Sequence, residues 1–169
     1  MNAGDQVHPE ADAWVVAIYA TKGDYDPLGS GSGSGSGIVI DDRRILTCAH
    51  VIEDLADGQP WVAFPKAVDD VPEARRLVDR IVFPNARTPV KDLAILILGE
   101  PMPAGVTQAT LRCPEPTALV SKRWWAFGFP AGDLFGNSAE GEVGSSLSHG
   151  WIRLDTTSRY PVERRTRST

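Results

Sequence analysis

Short β-rich runs separated by turn-forming residues make up most of this chain, and little of it shows the periodicity of a helix. The turns are supplied by 16 glycines and 13 prolines. Many short strands with such turns are typical of antiparallel sandwiches and barrels, so we expect an all-β fold. The runs are residues 14–20, 38–40, 45–48, 61–64, 76–83, 93–98, 118–129, 140–147 and 151–154.

The strand candidates fall into two groups. About six precede residue 99, enough to close a small antiparallel barrel, and about three follow residue 117. The prolines between residues 101 and 116 indicate an irregular connector. The second group is too short for a barrel of equal strand number, so we expect it to be incomplete. The predicted segments are a polar lead-in (1–12), a first barrel (13–104), a connector (105–117), a partial second barrel (118–163) and a tail (164–169).

Residues 29–37 form an uninterrupted Gly-Ser repeat within the predicted first barrel. This composition is typical of a flexible linker, from repeat expansion or an engineered insertion, and we expect only its last residues to be structural. The glycines match neither the Gly-x-Gly-x-x-Gly nor the Gly-Lys-Ser/Thr pattern, and a strand rather than a helix follows them. Nucleotide binding is therefore not expected.

Charge and hydropathy narrow the possible partners and the cellular location. The net charge of −5 provides no positive field to attract nucleic acid, so no nucleic-acid partner is expected. Residues 1–12 lack the apolar run of a signal peptide, and no apolar stretch reaches membrane-spanning length. We therefore expect no membrane association and a cytoplasmic location.

The cysteines and histidines do not suggest a scaffold or a metal centre. Cys48 and Cys113 are too few to form a disulfide framework, and both are expected to be free. The three histidines, His8, His50 and His149, show no paired ligand spacing with them, so no metal site is expected.

Two residues could carry acid–base chemistry because of where they stand relative to strands. His50 follows the strand candidate 45–48 at the start of a short helical turn, and Asp92 immediately precedes the strand candidate 93–98. Taken singly, a histidine in this position is more often a half-exposed helix-start residue, and such an aspartate is more often a turn residue. Serine-type acyl transfer, however, requires an imidazole base held by a carboxylate, together with a nucleophile and oxyanion donors.

The segments around both residues resemble those of a known family. Residues 47–50, Thr-Cys-Ala-His, resemble the Thr-Ala-Ala-His segment of the trypsin-like (chymotrypsin-fold) serine proteases, and residues 91–96 resemble their Asp-Ile-Ala-Leu-Leu segment. Residues 35–40 resemble the Gly-Ser-Gly strand before the histidine, and residues 125–130 resemble the Gly-Phe/Tyr-Pro turn of the second barrel. The four segments occur in the family's order, and the likeness is greatest to its bacterial, disulfide-free branch.

This resemblance implies two antiparallel β-barrels and a peptide-bond hydrolase that acts on a polypeptide substrate without a metal or organic cofactor. It also implies that His50 is the general base and that Asp92 orients it. In the family, residues corresponding to 151–164 would lead into a Gly-x-Ser-Gly turn, whereas here residues 165–169 follow. The serine nucleophile is therefore not found, and we expect a C-terminally truncated, inactive chain. A reading-frame shift near Arg164 and an authentic short form both remain open.

Other serines are poor candidates for the nucleophile. Ser168 has one residue after it and no flanking glycine, and the remaining serines considered are in β-rich or polar loop contexts: Ser145, Ser146, Ser148 and Ser158. One alternative is a non-catalytic pseudoprotease that binds a peptide ligand, and another is a chain that does not fold stably alone. The tryptophans Trp124, Trp125 and Trp151 could serve such a binding surface, although core packing is the favoured interpretation.

Overall fold

The computed structural model describes residues 13–20, 33–53, 55, 59–67, 74–84, 92–129, 136–146 and 152–159. The strands are β1 (Val15–Tyr19), β2 (Gly33–Val39), β3 (Arg44–Thr47), β4 (Trp61–Ala63), β5 (Arg76–Val82), β6 (Ala94–Leu98), β7 (Arg123–Gly128), β8 (Asn137–Ser146) and β9 (Ile152–Arg159). The helices are α1 (Ala49–Glu53) and α2 (Pro116–Leu119). The regular secondary structure of the described residues is thus almost entirely β, as predicted.

The first six strands form a closed antiparallel barrel in the order β1-β2-β3-β6-β5-β4. Pairing of β1 with β4, which includes Ile18 opposite Val62, closes the barrel, so that no edge strand is left unpaired. Inward-facing aliphatic side chains from all six strands fill the interior, and burying each contributes about 1.5–3 kcal/mol. The most buried of these are Val16, Ile18, Val39, Ile45, Val62, Val78, Leu96 and Leu98.

Strands β2 and β3 form an antiparallel hairpin whose corner is the charged segment 41–44. Ile38 pairs with Leu46 and Val39 with Ile45. At the corner, the Asp41 carboxylate accepts hydrogen bonds from backbone N–H groups two and three residues later, at 3.0 and 2.8 Å. The charged corner therefore stabilises the turn with its own side chain.

The last part of the Gly-Ser repeat forms a strand of the barrel. Strand β2 begins at Gly33 and pairs with β1, with Gly35 opposite Ile18 and Ser36 opposite Ala17. The expectation that the last residues of the repeat are structural is therefore confirmed for residues 33–37, while residues 29–32 lie outside the described residues.

Close packing against the glycines of β2 explains why a sequence typical of a linker is a strand here. A Cβ atom added at Gly35 would lie 2.7 Å from the methyl carbons of Val51, and one added at Gly37 would lie 2.6 Å from Cγ2 of Ile45. Neighbouring side chains thus occupy the space that side chains at these two positions would need. The tertiary contacts of the barrel override the coil preference of the repeat.

The chain folds as two compact units, one made of Met1–Leu111 with Gly128–Gly136, the other of Arg112–Phe127 with Asn137–Thr169. Of the described residues, the second unit holds most of a three-stranded sheet in the order β7-β8-β9. Val143 on β8 pairs with Leu154 on β9. This sheet does not close, so the prediction of a complete first barrel and an incomplete second one is confirmed.

Two local features differ from the sequence predictions. The sequence predicts one strand over residues 118–129, but α2 occupies the start of that range and β7 begins only at Arg123. Pro116 at the first turn favours the helix, because its fixed φ suits that position.

The interpretation of the tryptophans as core residues is wrong for Trp125, which is 41% exposed. Trp124 is half-buried and donates from Nε1 to the carbonyl of Asp155 at 3.3 Å. Trp151 lies outside the described residues.

Some predictions concern parts of the chain that the structure does not describe. The lead-in (1–12) and the tail (164–169) lie outside the described residues, so the proposed segment boundaries stay predictions, as does the cytoplasmic location. Within the described ranges, neither helix has the length and apolar character needed to traverse a bilayer.

Candidate active site

The barrel brings His50 and Asp92 to the same end of two neighbouring strands. Strand β3 ends at Thr47, three residues before His50, and β6 begins at Ala94, two residues after Asp92. Thr47 pairs directly with Ala94 in the antiparallel register. The residues that follow one strand and precede the other are therefore adjacent in space.

A buried hydroxyl anchors the chain just before α1. Thr47 is buried, and its Oγ1 donates a hydrogen bond to the carbonyl of Ser36 on β2 at 2.8 Å. Helix α1, which follows, packs against the barrel core, because its Ala49, Val51 and Ile52 are buried there. His50 alternates with these apolar residues and is directed to the surface.

His50 and Asp92 are joined by two hydrogen bonds. The backbone N–H of His50 donates to Oδ1 of Asp92 at 2.9 Å, and Nδ1 of the ring lies 2.5 Å from Oδ2. Both carboxylate oxygens are thus engaged, which fixes the carboxylate relative to the ring. The side chains are 62% and 37% exposed, respectively, so the imidazole is accessible to a reacting group.

Hydrogen bonding from His50 keeps Asp92 ionised. The backbone N–H of His50 makes the largest contribution to lowering the pKa of Asp92, and the ring hydrogen bond adds to it, while desolvation acts in the opposite direction. An ionised carboxylate can only accept hydrogen bonds, so Nδ1 of a neutral His50 must carry the proton in this contact. The other ring nitrogen, Nε2, then has a free lone pair and can accept a proton.

A thiol lies beside this pair. The Sγ atom of Cys48, a ring nitrogen of His50 and a carboxylate oxygen of Asp92 all lie within 4.8 Å of one another. Burial raises the pKa of the Cys48 thiol, and the negative charge of Asp92 raises it further. No local pattern in the sequence indicates this grouping, because Asp92 is brought close to Cys48 and His50 only by the register of β3 and β6.

None of the serines considered as a nucleophile lies on β3, α1 or β6, the elements that carry or flank His50 and Asp92. The His50 side chain is hydrogen-bonded to Asp92. Ser145 is exposed on β8, and Ser146 and Ser158 lie within β8 and β9. Ser148 and Ser168 lie outside the described residues. The structure therefore brings together the predicted base and its predicted partner.

The described residues thus combine a closed six-stranded antiparallel barrel with a His–Asp pair at the ends of two adjacent strands. Residues 35–166 match the family model described as a trypsin-like peptidase domain. The chain belongs to this family. No match was found among curated proteins.

Solved structures share the fold, among them that of a serine protease. Neuropsin, a serine protease expressed in the limbic system of mouse brain, is 17% identical with a TM-score of 0.58, over 85% of this chain and 65% of its own. Kallikrein-related peptidase 10 is 18% identical with a TM-score of 0.55, over 82% of this chain and 60% of its own. The structure titled GrC is 14% identical with a TM-score of 0.55, over 85% and 66%. The chain thus spans less than two thirds of the length of each.

Proposed function

We propose that His50 and Asp92 are the general base and the orienting carboxylate of a serine-type endopeptidase whose substrate is a polypeptide. The observation that carries this proposal is the 2.5 Å contact between Nδ1 of His50 and Oδ2 of Asp92, with the ring exposed. Membership of the trypsin-like peptidase family supports the same reaction class.

The proposed chemistry moves one proton back and forth. Nε2 of His50 takes the proton of a serine hydroxyl while the serine oxygen forms a bond to the carbonyl carbon of the substrate. The imidazolium then gives this proton to the amine nitrogen as the C–N bond breaks, leaving an acyl-serine. Water then attacks the acyl-serine, His50 takes a proton from the water, and this proton passes to the serine oxygen as the acyl bond breaks. Asp92 stays ionised throughout, holding the tautomer and stabilising the imidazolium.

We further propose that the 169 residues do not themselves supply the nucleophile. No Gly-x-Ser-Gly segment occurs in the sequence. In such a turn, glycines allow backbone N–H groups to point at the developing oxyanion, and losing a single such donor costs a factor of about 10²–10³ in rate. Without nucleophile and donors, the chain alone is expected to hydrolyse peptide bonds at background rate.

A fluorophosphonate probe, which acylates activated serines, tests the nucleophile. Intact-mass measurement of the treated 169-residue chain should show no adduct, for the parent chain and for a His50→Ala control alike. Stoichiometric labelling that the control lacks would overturn the proposed absence of a nucleophile, and it would identify His50 as its activating base.

The His–Asp pair is tested separately, without any nucleophile. In the proton NMR spectrum, a strongly downfield Nδ1 proton is expected from the ring of His50, because it is shared with a carboxylate oxygen at short distance. The signal should vanish in Asp92→Ala and persist in Asp79→Ala, which removes an exposed carboxylate on β5. Its absence from the parent chain would count against the base and orienter roles.

A non-catalytic peptide-binding module is the second candidate, favoured by exposed apolar side chains on the second unit. Trp125 and Phe127 stack with ring centroids 6.0 Å apart, and Trp125 is 41% exposed. Leu154 on β9 is 49% exposed. Peptide-array binding that is lost in Trp125→Ala but kept in His50→Ala would support this function, whereas binding insensitive to Trp125→Ala would exclude this surface.

A further inference from the structure

Three side chains with different metal-ligating atoms converge beside the first barrel. Cys48 lies between β3 and α1, His50 lies on α1, and Asp92 lies just before β6. One ligand atom from each lies within 4.8 Å of the other two. A thiol, an imidazole and a carboxylate together suit a borderline-soft cation much better than they suit Mg²⁺ or Ca²⁺, which prefer oxygen ligands.

The spacing is compatible with a tetrahedral cation. Zinc bonds of about 2.0–2.3 Å place neighbouring ligand atoms about 3.3–3.5 Å apart. The Nδ1–Oδ2 separation of 2.5 Å would need to widen, and any separation near the 4.8 Å limit would need to shorten, each by about an ångström. The exposed side chains of His50 and Asp92 can make this adjustment, and their exposure leaves room for a water as fourth ligand.

We propose that Cys48, His50 and Asp92 form a binding site for a thiophilic divalent cation of the zinc type. On binding, the Cys48 thiol releases its proton to solvent and becomes a thiolate ligand, while Asp92 already carries a negative charge. The two anionic ligands then balance the charge of the cation. The negative charge of Asp92, which disfavours the thiolate when no cation is present, favours the cation itself.

Cation binding and the base role of His50 exclude each other, a consequence that rests on the proposed function. A neutral imidazole has one lone pair on its two ring nitrogens. If Nδ1, the nitrogen that faces Asp92, binds the cation, the proton is left on Nε2. The ring then has no lone pair with which to accept a proton from a serine. The cation would therefore act as an inhibitor of the proposed hydrolysis.

Titration of the 169-residue chain with Co²⁺, a spectroscopic substitute for zinc, tests the site without any enzymatic assay. We expect one equivalent to produce the visible bands of tetrahedral cobalt and a near-ultraviolet thiolate-to-cobalt charge-transfer band. Zn²⁺ should displace the Co²⁺ and abolish these bands. Excess Mg²⁺ should leave the Co²⁺ bound and the bands unchanged. Absence of the charge-transfer band in the parent chain would overturn the proposal.

Cysteine variants provide a matched comparison. Cys48→Ala should abolish the charge-transfer band and weaken Zn²⁺ binding at least roughly tenfold, since it removes one of three protein ligands. Cys113→Ala, which removes the other free cysteine at an exposed position, should change neither. A band that survives in Cys48→Ala, or that is lost in Cys113→Ala, would show that the thiolate ligand lies elsewhere.

A third variant includes the carboxylate and separates this proposal from the proposed function. Asp92→Asn should weaken Zn²⁺ binding at least roughly tenfold, with circular dichroism confirming that the barrel is folded. Binding unchanged in this variant would remove Asp92 from the site. Cobalt spectra and the downfield Nδ1 signal are independent readouts, so either proposal can fail while the other stands.

Discussion

The Oγ atom of Ser36 accepts a hydrogen bond from the backbone N–H of Phe129 at 2.7 Å, although the two residues are 93 positions apart. Phe129 is buried, so its N–H has little access to water. The carbonyl of the same serine accepts the hydroxyl of Thr47. A serine of the Gly-Ser repeat thereby connects β2 to both the histidine-bearing segment and the chain after β7.

Removal of the Ser36 hydroxyl should destabilise the fold. Ser36→Ala removes this acceptor of the backbone N–H of Phe129, and removing one partner of a buried hydrogen bond costs about 1–3 kcal/mol. Urea unfolding followed by circular dichroism measures the difference. Ser145→Ala, at an exposed position on β8, should change the free energy of unfolding by less than about 0.5 kcal/mol. Equal effects of the two substitutions would contradict the role assigned to Ser36.

Side chains should not be tolerated at the inward glycines of β2. Gly37→Ala would place a methyl group 2.6 Å from Cγ2 of Ile45 and 3.2 Å from a backbone oxygen. Overpacking of this kind costs about 1–3 kcal/mol. Gly99→Ala is the matched control, because the nearest atom to its added Cβ is 3.9 Å away. In thermal unfolding, the midpoint temperature should fall clearly for Gly37→Ala and change little for Gly99→Ala.

The pKa of Asp92 should depend more on the backbone of His50 than on its ring. The backbone N–H is the largest cause of the lowered pKa, so His50→Ala should leave the Asp92 pKa below its ordinary value. Carbon-13 NMR titration of the carboxyl group measures this directly. A return to the ordinary value in His50→Ala would show that the ring dominates.

The same lowered pKa makes Asp92 a pH-dependent contributor to stability. A carboxyl whose pKa is lower in the folded than in the unfolded chain stabilises the fold above its unfolded pKa. This contribution falls as the pH drops through the folded pKa, because protonation removes the carboxylate acceptor. The stability difference between the parent chain and Asp92→Asn should therefore shrink as the pH is lowered below about 4. Urea midpoints across that range measure it, and a difference that grows on acidification would reverse the predicted sign.

The two cysteines should differ in reactivity. Burial and the nearby Asp92 carboxylate raise the pKa of Cys48, and only the thiolate attacks an alkylating agent. Cys113 is exposed. Iodoacetamide at neutral pH should therefore modify Cys113 first, as read by peptide mass mapping of a time course. Faster modification of Cys48 would show that its thiolate is more available than its surroundings indicate.

Local signals in the sequence are sufficient for much of the fold and for the candidate pair. Turn residues and β-branched runs locate the β2–β3 hairpin and β6, and the segments around His50 and Asp92 indicate the family. Contacts that depend on strand register are not predictable in this way. The proximity of Cys48 to Asp92 follows from Thr47 pairing with Ala94, which no local pattern encodes.

Composition also misleads where tertiary packing decides the conformation. A Gly-Ser repeat has a coil preference when considered alone, and only the positions of Ile45 and Val51 show why glycine is required within the barrel. The exposure of Trp125 is likewise missed, since a large aromatic side chain is most often found in a core.

The Gly-Ser unit has the same two-residue length as the repeat of a β-strand, in which side chains alternate between faces. Slippage during DNA replication that adds or deletes one whole unit would therefore keep glycines towards Val51 and Ile45 and serines towards the opposite face. Gain or loss of a single codon would exchange the two faces. Length changes in steps of two codons would therefore preserve the glycines that pack against Val51 and Ile45.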